Sequence, residues 1–222
     1  LIFAQKGSTI HLPEGIIELN RTLWGDNLTN VSIVGAGIDK TILSFKNQIE
    51  GPEDAPVVLL SHSLAANTTM WELQMPTLTP HYRVVRYDTR GHGDTEVPDG
   101  EYTLDLLAND LFGLLDGLEL NQVHYIGLSM GGMIGQAAAL RDASRFLSLS
   151  LCDTSSRIPL EARSAWNDRI NLAQGEGMEA LVPSTIDRWF SANFQAQRAD
   201  EVDKVREMIR GTAVNGFCGC AA

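Results

Sequence analysis

The sequence predicts an α/β fold in which a doubly wound parallel sheet carries a helical lid, preceded by a small all-β segment. Three observations lead to this prediction. Short apolar runs that suit buried parallel strands alternate with helical repeats between residues 57 and 152. A glycine-flanked serine follows one of these runs and opens a segment of small residues. Residues 157–210 are polar and helical in pattern, with scattered apolar anchors.

The composition is that of an ordinary globular chain with an excess of acidic residues. The chain has 222 residues, of which 44% are apolar, and a net charge of −11. Such a charge repels phosphate backbones and anionic lipid, so neither nucleic-acid nor membrane partners are expected. No apolar run approaches the roughly 18 residues of a membrane span. The three cysteines can form neither a disulfide framework nor a metal site, so we expect a cytoplasmic protein without metal.

The first 50 residues differ from the rest of the chain. Brief β-branched runs alternate with turn residues there. Residues 12–15 and 34–43 resemble the first coils of a right-handed parallel β-helix of the pectin-lyase-like kind. We therefore predict that residues 1–50 form a separate β unit and supply no antiparallel edge strand to the later sheet. Residues 51–56, which are polar and contain proline, are predicted to be a linker.

The strands and helices of the main domain follow from apolar spacing. A helix is expected from residue 104 to 118, because leucines recur there at helical intervals after Thr103, a suitable N-cap. A second helix is expected over 133–140. The continuous apolar runs predict four strands, at 57–60, 83–87, 123–126 and 146–152.

Residues 127–132 read G-L-S-M-G-G, a G-x-S-x-G pattern placed after a strand and before a helix. In this turn Ser129 must adopt strained backbone angles, and Gly127 and Gly131 leave room for the crossing chain. We predict a positive φ at Ser129 and a hydroxyl held at the carboxyl edge of the sheet. The alternative is a glycine-rich helix start that only packs closely or binds an anion.

A nucleophilic serine needs two backbone N–H groups to bind the oxyanion that forms during acyl transfer. One is expected from Met130, the residue after the nucleophile. The second is expected from Leu64, in the loop 61–67 that follows the first buried strand. His62 lies in the same loop and is expected to support it.

Several separated motifs carry a resemblance: S-H-S-L at 61–64, R-Y-D-T-R-G-H-G at 86–93, the serine motif, and L-C-D-T at 151–154. On these, residues 52–222 resemble the α/β-hydrolase superfamily and are most similar to 3-oxoadipate enol-lactonases. The resemblance implies hydrolysis of a small enol-lactone in aromatic-compound degradation, through an acyl-enzyme on Ser129 and without metal or cofactor. The substrate would be a small lactone or ester. The oligomeric state stays open.

The base and the acid of a serine triad have no clear candidates. The histidines are His11, His62, His81, His92 and His124. The order Ser…Asp…His needs a histidine after Ser129, and the sequence has none. His62 is the nearest candidate but is better interpreted as shaping the oxyanion loop, and Asp153 as a lid hinge. We therefore expect residues 57–222 to lack the C-terminal strands of the fold.

Other functions remain open at this point. The chain, which begins with leucine, could be an inactive fragment or chimera without the triad His and Asp. It could instead be a general esterase or perhydrolase, or a β-helix module with a hydrolase-like partner domain.

Two residue types in the main domain have both a structural and a functional interpretation. The tryptophans favour core packing over an acyl pocket, and the lid arginines favour solvation over pairing with a carboxylate-bearing substrate. These residues are Trp71, Trp166, Trp189, Arg157, Arg163 and Arg169.

Overall fold

The computed structural model describes Thr9–His11, Ser32–Val34 and residues 49–222. The strands described are β1 (Thr9–His11), β2 (Ser32–Val34), β3 (Ile49–Glu50), β4 (Val57–Ser61), β5 (Arg83–Tyr87), β6 (Val123–Leu128) and β7 (Phe146–Cys152). The α-helices described are α1 (Met75–Leu78), α2 (Leu104–Gly117), α3 (Met130–Arg141), α4 (Arg163–Glu176), α5 (Val182–Trp189), α6 (Ala192–Gln197), α7 (Ala199–Arg210) and α8 (Val214–Ala221). Short 3-10 helices cover Thr68–Trp71, Ala143–Arg145, Leu160–Ala162 and Met178–Leu181.

The main sheet has the strand order β3-β5-β4-β6-β7, and its last four strands are parallel. The register places Val58 of β4 beside Val84 of β5 and His124 of β6. The strands predicted at 83–87 and 146–152 have those bounds, and the other two begin where predicted and end slightly later. Helices cover both faces, so the predicted doubly wound parallel sheet is confirmed.

Two apolar clusters, one on each face of the sheet, explain the unbroken apolar run of β4. Successive strand side chains point to opposite faces. Leu59 therefore packs with α2 and α3 in the larger cluster, while Val58 and Leu60 pack with Trp71 and Met75 in the smaller one. Because both faces are covered, β4 has no position for a solvent-facing polar residue before its end at Ser61.

Helix α2 begins as the sequence predicts. The Thr103 side chain accepts a hydrogen bond from Leu106 N at 3.2 Å, which satisfies a main-chain donor of the first turn. Leu107, Leu111 and Leu114 are at most 2% exposed, so the leucine stripe faces the sheet.

The N-terminal prediction is wrong for Ile49 and Glu50. These residues form β3 and pair antiparallel with β5, Ile49 beside Val85 and Glu50 beside Val84. The Glu50 carboxylate also accepts a hydrogen bond from Arg86 at 2.5 Å. The last two residues of the segment 1–50 thus supply the antiparallel edge strand that we expected to be absent.

Strands β1 and β2 pair in parallel with each other, Thr9 beside Ser32 and His11 beside Val34. The rest of residues 1–48 lies outside the described residues. The β-helix-like unit at 1–50 therefore stays a prediction, as does the linker role of residues 51–56.

Helices α4 to α7 occupy the segment predicted as a lid at 157–210. Trp166 and Trp189 pack half-buried against the larger cluster, and Trp71 is buried in the smaller one, which supports the core interpretation for all three. The sequence pattern did not indicate α8, which packs through Gly216 directly onto Gly91. Within the described residues, no helix has the length and apolar character that crossing a membrane requires.

Strand β7 forms the outer edge of the main sheet as the described residues define it. Leu147, Leu149 and Leu151 are 52%, 37% and 41% exposed. An apolar edge strand of this kind presents unpaired main-chain groups and side chains to solvent. The leucines of β7 are therefore only partly covered by the described residues.

Candidate active site

Ser129 lies in the turn between β6 and α3 with φ 53° and ψ −111°. The predicted positive φ is therefore confirmed. A side chain at Gly127 would place its Cβ 2.4 Å from Gly131 O, and one at Gly131 would place it 2.3 Å from Ser61 O. Both glycines are required because the backbone itself fills the space of a side chain.

Hydrogen bonds fasten this turn to both neighbouring strands. Ser129 N donates to Cys152 O at 2.9 Å at the end of β7, and Thr154 Oγ1 donates to Ser129 O at 2.7 Å. On the other side, Gly131 N donates to His62 O at 3.1 Å, in the loop after β4. The carboxyl ends of β4, β6 and β7 thus meet at Ser129.

The main-chain amides of Leu64 and Met130 donate no hydrogen bond to any residue in the described part of the chain. Their neighbours do donate: Ser63 N to a methionine sulfur at 3.4 Å, and Ala65 N to His92 Nε2 at 3.2 Å. Met130 opens α3, where main-chain N–H groups have no partner within the helix, and its amide and that of Leu64 lie on the two segments joined at Gly131.

Two buried histidines join the loop after β4 to the loop after β5. His62 Nδ1 lies 2.8 Å from Ser63 O, and its Nε2 accepts a hydrogen bond from Thr89 N at 2.8 Å. His92 Nδ1 lies 3.1 Å from Arg90 O, and its Nε2 accepts from the loop after β4, as given above. A carbonyl only accepts, so each Nδ1 carries the proton. We call this reciprocal pair, with ring centroids 5.3 Å apart, the histidine clasp.

The clasp keeps both imidazoles neutral. Burial lowers the pKa of His62 to about 4, against a partial rise from its bond to Ser63 O. Burial also lowers the pKa of His92 to about 3, and the neighbouring His62 lowers it further. Each Nε2 lone pair is already bound to a backbone N–H. Neither histidine can therefore accept the proton of Ser129 in this geometry.

The other described residues considered as base or acid make no hydrogen bond to Ser129. His81 is exposed ahead of β5, and His124 contacts Ser148 Oγ at 2.8 Å within the sheet. Asp153 is exposed directly after β7, with φ 40°. The side chain of His11 lies outside the described residues. Among the residues described, no cluster of histidine, cysteine or carboxylate side chains suits a metal ion.

The loop after β5 is held by two carboxylates. Asp88 accepts hydrogen bonds from Thr68 N at 2.8 Å and Asp94 N at 3.2 Å, and burial raises its pKa. Arg90 makes a two-pronged contact with Asp110 of α2, at 2.7 and 2.6 Å. Bidentate pairs of this kind fix orientation as well as position.

Two tyrosines beneath the elbow were missed by the sequence reasoning. Tyr125 OH donates to Gly131 O at 2.6 Å, and Tyr87 OH lies 2.9 Å from Ser61 Oγ. Burial raises the pKa of Tyr87 to about 12 and that of Tyr125 well above its usual value. The sequence does indicate these contacts, because a tyrosine inside an apolar strand needs a buried hydrogen-bond partner for its hydroxyl.

The profile of the alpha/beta hydrolase fold family matches residues 56–213, and the chain belongs to this family. The 3-oxoadipate enol-lactonase 1 of Acinetobacter baylyi is 36% identical over 170 residues, which are 77% of this chain and 63% of that protein. The crystal structure of the enol-lactonase from Burkholderia xenovorans matches with a TM-score of 0.76 and 38% identity, over 81% of this chain and 68% of that one.

A thermophilic esterase from Thermogutta terrifontis matches with a TM-score of 0.76 and 30% identity, over 82% of this chain and 66% of that one. The sequence resemblance to the α/β-hydrolase superfamily is therefore confirmed. The chain spans 63% of the length of the Acinetobacter lactonase.

Proposed function

We propose that the chain carries the nucleophile of a serine hydrolase that acts on a small lactone or ester. The observation that supports this most is the turn at Ser129, with its φ of 53° between a strand and a helix. Unpaired amides at Leu64 and Met130 accompany it, and both belong to segments fastened together at Gly131. A helix start that only packs closely would not need the second amide.

The proposed reaction is acyl transfer. Hydroxide from the solvent takes the proton of Ser129 Oγ, which bonds to the substrate carbonyl carbon while the carbonyl π electrons move to oxygen. The amides of Leu64 and Met130 would donate to that oxyanion. Its collapse breaks the bond to the leaving oxygen, which takes a proton from water. A second water then adds to the acyl carbon, the bond to Ser129 Oγ breaks, and Oγ regains a proton as the acid leaves. These steps require no metal or redox cofactor.

The proposed substrate class is a small enol-lactone, because relatives at 36% and 38% identity bear the name enol-lactonase. A simple ester is the second candidate, favoured by the likeness to a solved esterase at 30% identity. In either case we expect slow turnover by the 222-residue chain. The serine proton has no described acceptor, and removing a triad member costs on the order of 10⁴ to 10⁶ in rate.

Labelling with an alkyl fluorophosphonate, followed by peptide mass spectrometry, tests this function. We expect slow formation of one adduct, on Ser129, which Ser129→Ala removes and His62→Gln leaves in place. Exposed Ser155 offers a matched control, Ser155→Ala, which should not change labelling. Labelling spread over many serines, or none at Ser129, would favour the inactive fragment or chimera instead.

A further inference from the structure

Arg169 lies on the face of α4 that is turned toward the core. Trp166, Arg169 and Ala173 are spaced to share one side of a helix. Trp166 packs against the larger apolar cluster, and Ala173 is 1% exposed. The Arg169 guanidinium carbon lies 4.6 Å from the centre of the Trp166 ring and 5.5 Å from that of Phe217 in α8. Two aromatic rings therefore hold the guanidinium in place.

Arg169 has no acidic partner in the described part of the chain. Its Nε is buried without a hydrogen-bond acceptor, and the charge nearby is a second cation, Arg188 of α5. Other arginines are ion-paired with carboxylates: Arg86, Arg90, Arg145, Arg198, Arg206 and Arg210. Arg157 and Arg163 are exposed, which fits the solvated interpretation for those two.

A cation in this position is costly for the folded protein. Burial lowers the pKa of Arg169 to about 10, and the charge of Arg188 lowers it further. Contact with Trp166 and Phe217 offsets part of this cost through cation–π attraction. Like Nε, the terminal nitrogens of Arg169 have no hydrogen-bond acceptor among the described residues. The guanidinium is thus positioned with its hydrogen-bonding end free for an anion.

We propose that Arg169, assisted by Arg188, binds the carboxylate of an acidic acyl substrate. The paired N–H donors of a guanidinium match the two oxygens of a carboxylate. This inference rests on the proposed function, since an enol-lactone of 3-oxoadipate keeps one ionised carboxylate after the other closes the ring. A chain with a net charge of −11 repels such an anion unless a local cationic site offsets the repulsion.

The contacts of α8 connect Arg169 to the proposed oxyanion loop. Phe217, which faces the guanidinium, follows Gly216, and a Cβ on Gly216 would lie 1.8 Å from Gly91 O. The histidine clasp then fastens the loop of Gly91 to the loop of Leu64. Leu64 and Phe217 also belong to the same apolar cluster. The lid arginine is therefore linked, through α8 and the loop of Gly91, to the loop of Leu64.

Binding of monomethyl adipate and of dimethyl adipate to the 222-residue chain, followed by tryptophan fluorescence, tests the proposal. The two esters differ in one carboxylate, and Trp166 stacks on the group in question. We expect the monoanion to bind more tightly than the diester. Arg169→Gln should weaken the monoanion about 10-fold, the worth of a charge-assisted hydrogen bond, and leave the diester unchanged. Arg163→Gln, on the same helix but exposed, should change neither.

Equal monoanion affinity in Arg169→Gln and the unaltered chain would overturn the proposal, as would an equal loss in Arg163→Gln. Arg169→Lys keeps the charge without the planar fork and should bind at an intermediate level; unaltered binding there also contradicts it. Inorganic phosphate that binds as tightly as the monoanion would show a general anion site instead. Selective binding without any adduct on Ser129 would refute the proposed function alone, and an adduct without selective binding would refute this inference alone.

Discussion

The loops after β4 and β5 lie near the centre of the sheet and the strand β7 forms one edge, and the two regions differ in how well their polar and apolar groups are shielded from solvent. In the loops, His62 and His92 are at most 1% exposed, and every ring nitrogen has a main-chain partner. In β7, three leucines are more than a third exposed. The buried imidazoles of the two loops are therefore fully paired, whereas the leucines of β7 are only partly covered by the described residues.

The largest expected difference between the centre and the edge of the sheet comes from the same substitution made in β4, the strand that leads into the first loop, and in β7. Leu59→Ala removes a side chain that is 0% exposed and should cost about 2 to 5 kcal/mol of unfolding free energy. Leu149→Ala, at 37% exposure, should cost less than about 1 kcal/mol. Urea unfolding of both variants measures this. Equal losses would mean that β7 is covered in solution.

The histidine clasp should make the free energy of unfolding depend on pH, whereas β7 contains no histidine. The pKa values of both histidines are lowered from 6.5, to about 4 and about 3, so the unfolded chain binds protons that the folded chain does not. Stability should therefore be complete above pH 6.5 and fall as the pH falls below it. Between pH 7.5 and 5.5 the loss is about 1.4 kcal/mol for each histidine.

Unfolding at these two pH values checks the clasp with His62→Gln, which can keep both hydrogen bonds without titrating. This variant should lose about half of the pH dependence. His81→Gln, at an exposed position, should keep all of it. An unaltered chain with equal stability at both pH values would contradict the buried, neutral clasp.

The smallest effect on stability is expected for Leu149→Lys. A charge on an exposed edge strand should change the unfolding free energy by less than about 0.5 kcal/mol and reduce self-association. Sedimentation velocity over a range of concentrations measures the association. Leu140→Lys, at a helix position that is 89% exposed, is the control and should leave it unchanged. Equal association in Leu149→Lys and the unaltered chain would show that self-association does not occur through β7.

The parts of the fold that were predictable rest on local pattern. Gly127 is required by the backbone of its own turn, at Gly131, and Thr103 caps the helix that follows it. The unbroken apolar run of β4 predicts a strand that is buried on both faces. Such features depend on residues that are close together in the sequence, so the sheet and the elbow could be predicted.

The parts that were missed depend on contacts between distant residues. Ile49 and Glu50 look like the end of a β unit, and only their pairing with β5 shows otherwise. Helix α8 has a glycine-rich sequence of low helix propensity, and packing against Gly91 overrides it. The partners of Tyr87 and of the clasp are likewise set by tertiary contact, which no spacing rule reveals.

The central claim is that Ser129 occupies a nucleophile elbow while no described residue can act as its general base. The pH profile of Ser129 acylation tests this claim most directly. p-Nitrophenyl acetate would be the acyl donor, with p-nitrophenolate release and the mass of the Ser129 peptide as readouts. The account predicts slow acetylation of Ser129 that rises about tenfold per pH unit between pH 6 and 9, because hydroxide must remove the proton. A fast reaction that levels off with a pKa near neutrality, and that His62→Gln abolishes, would contradict it.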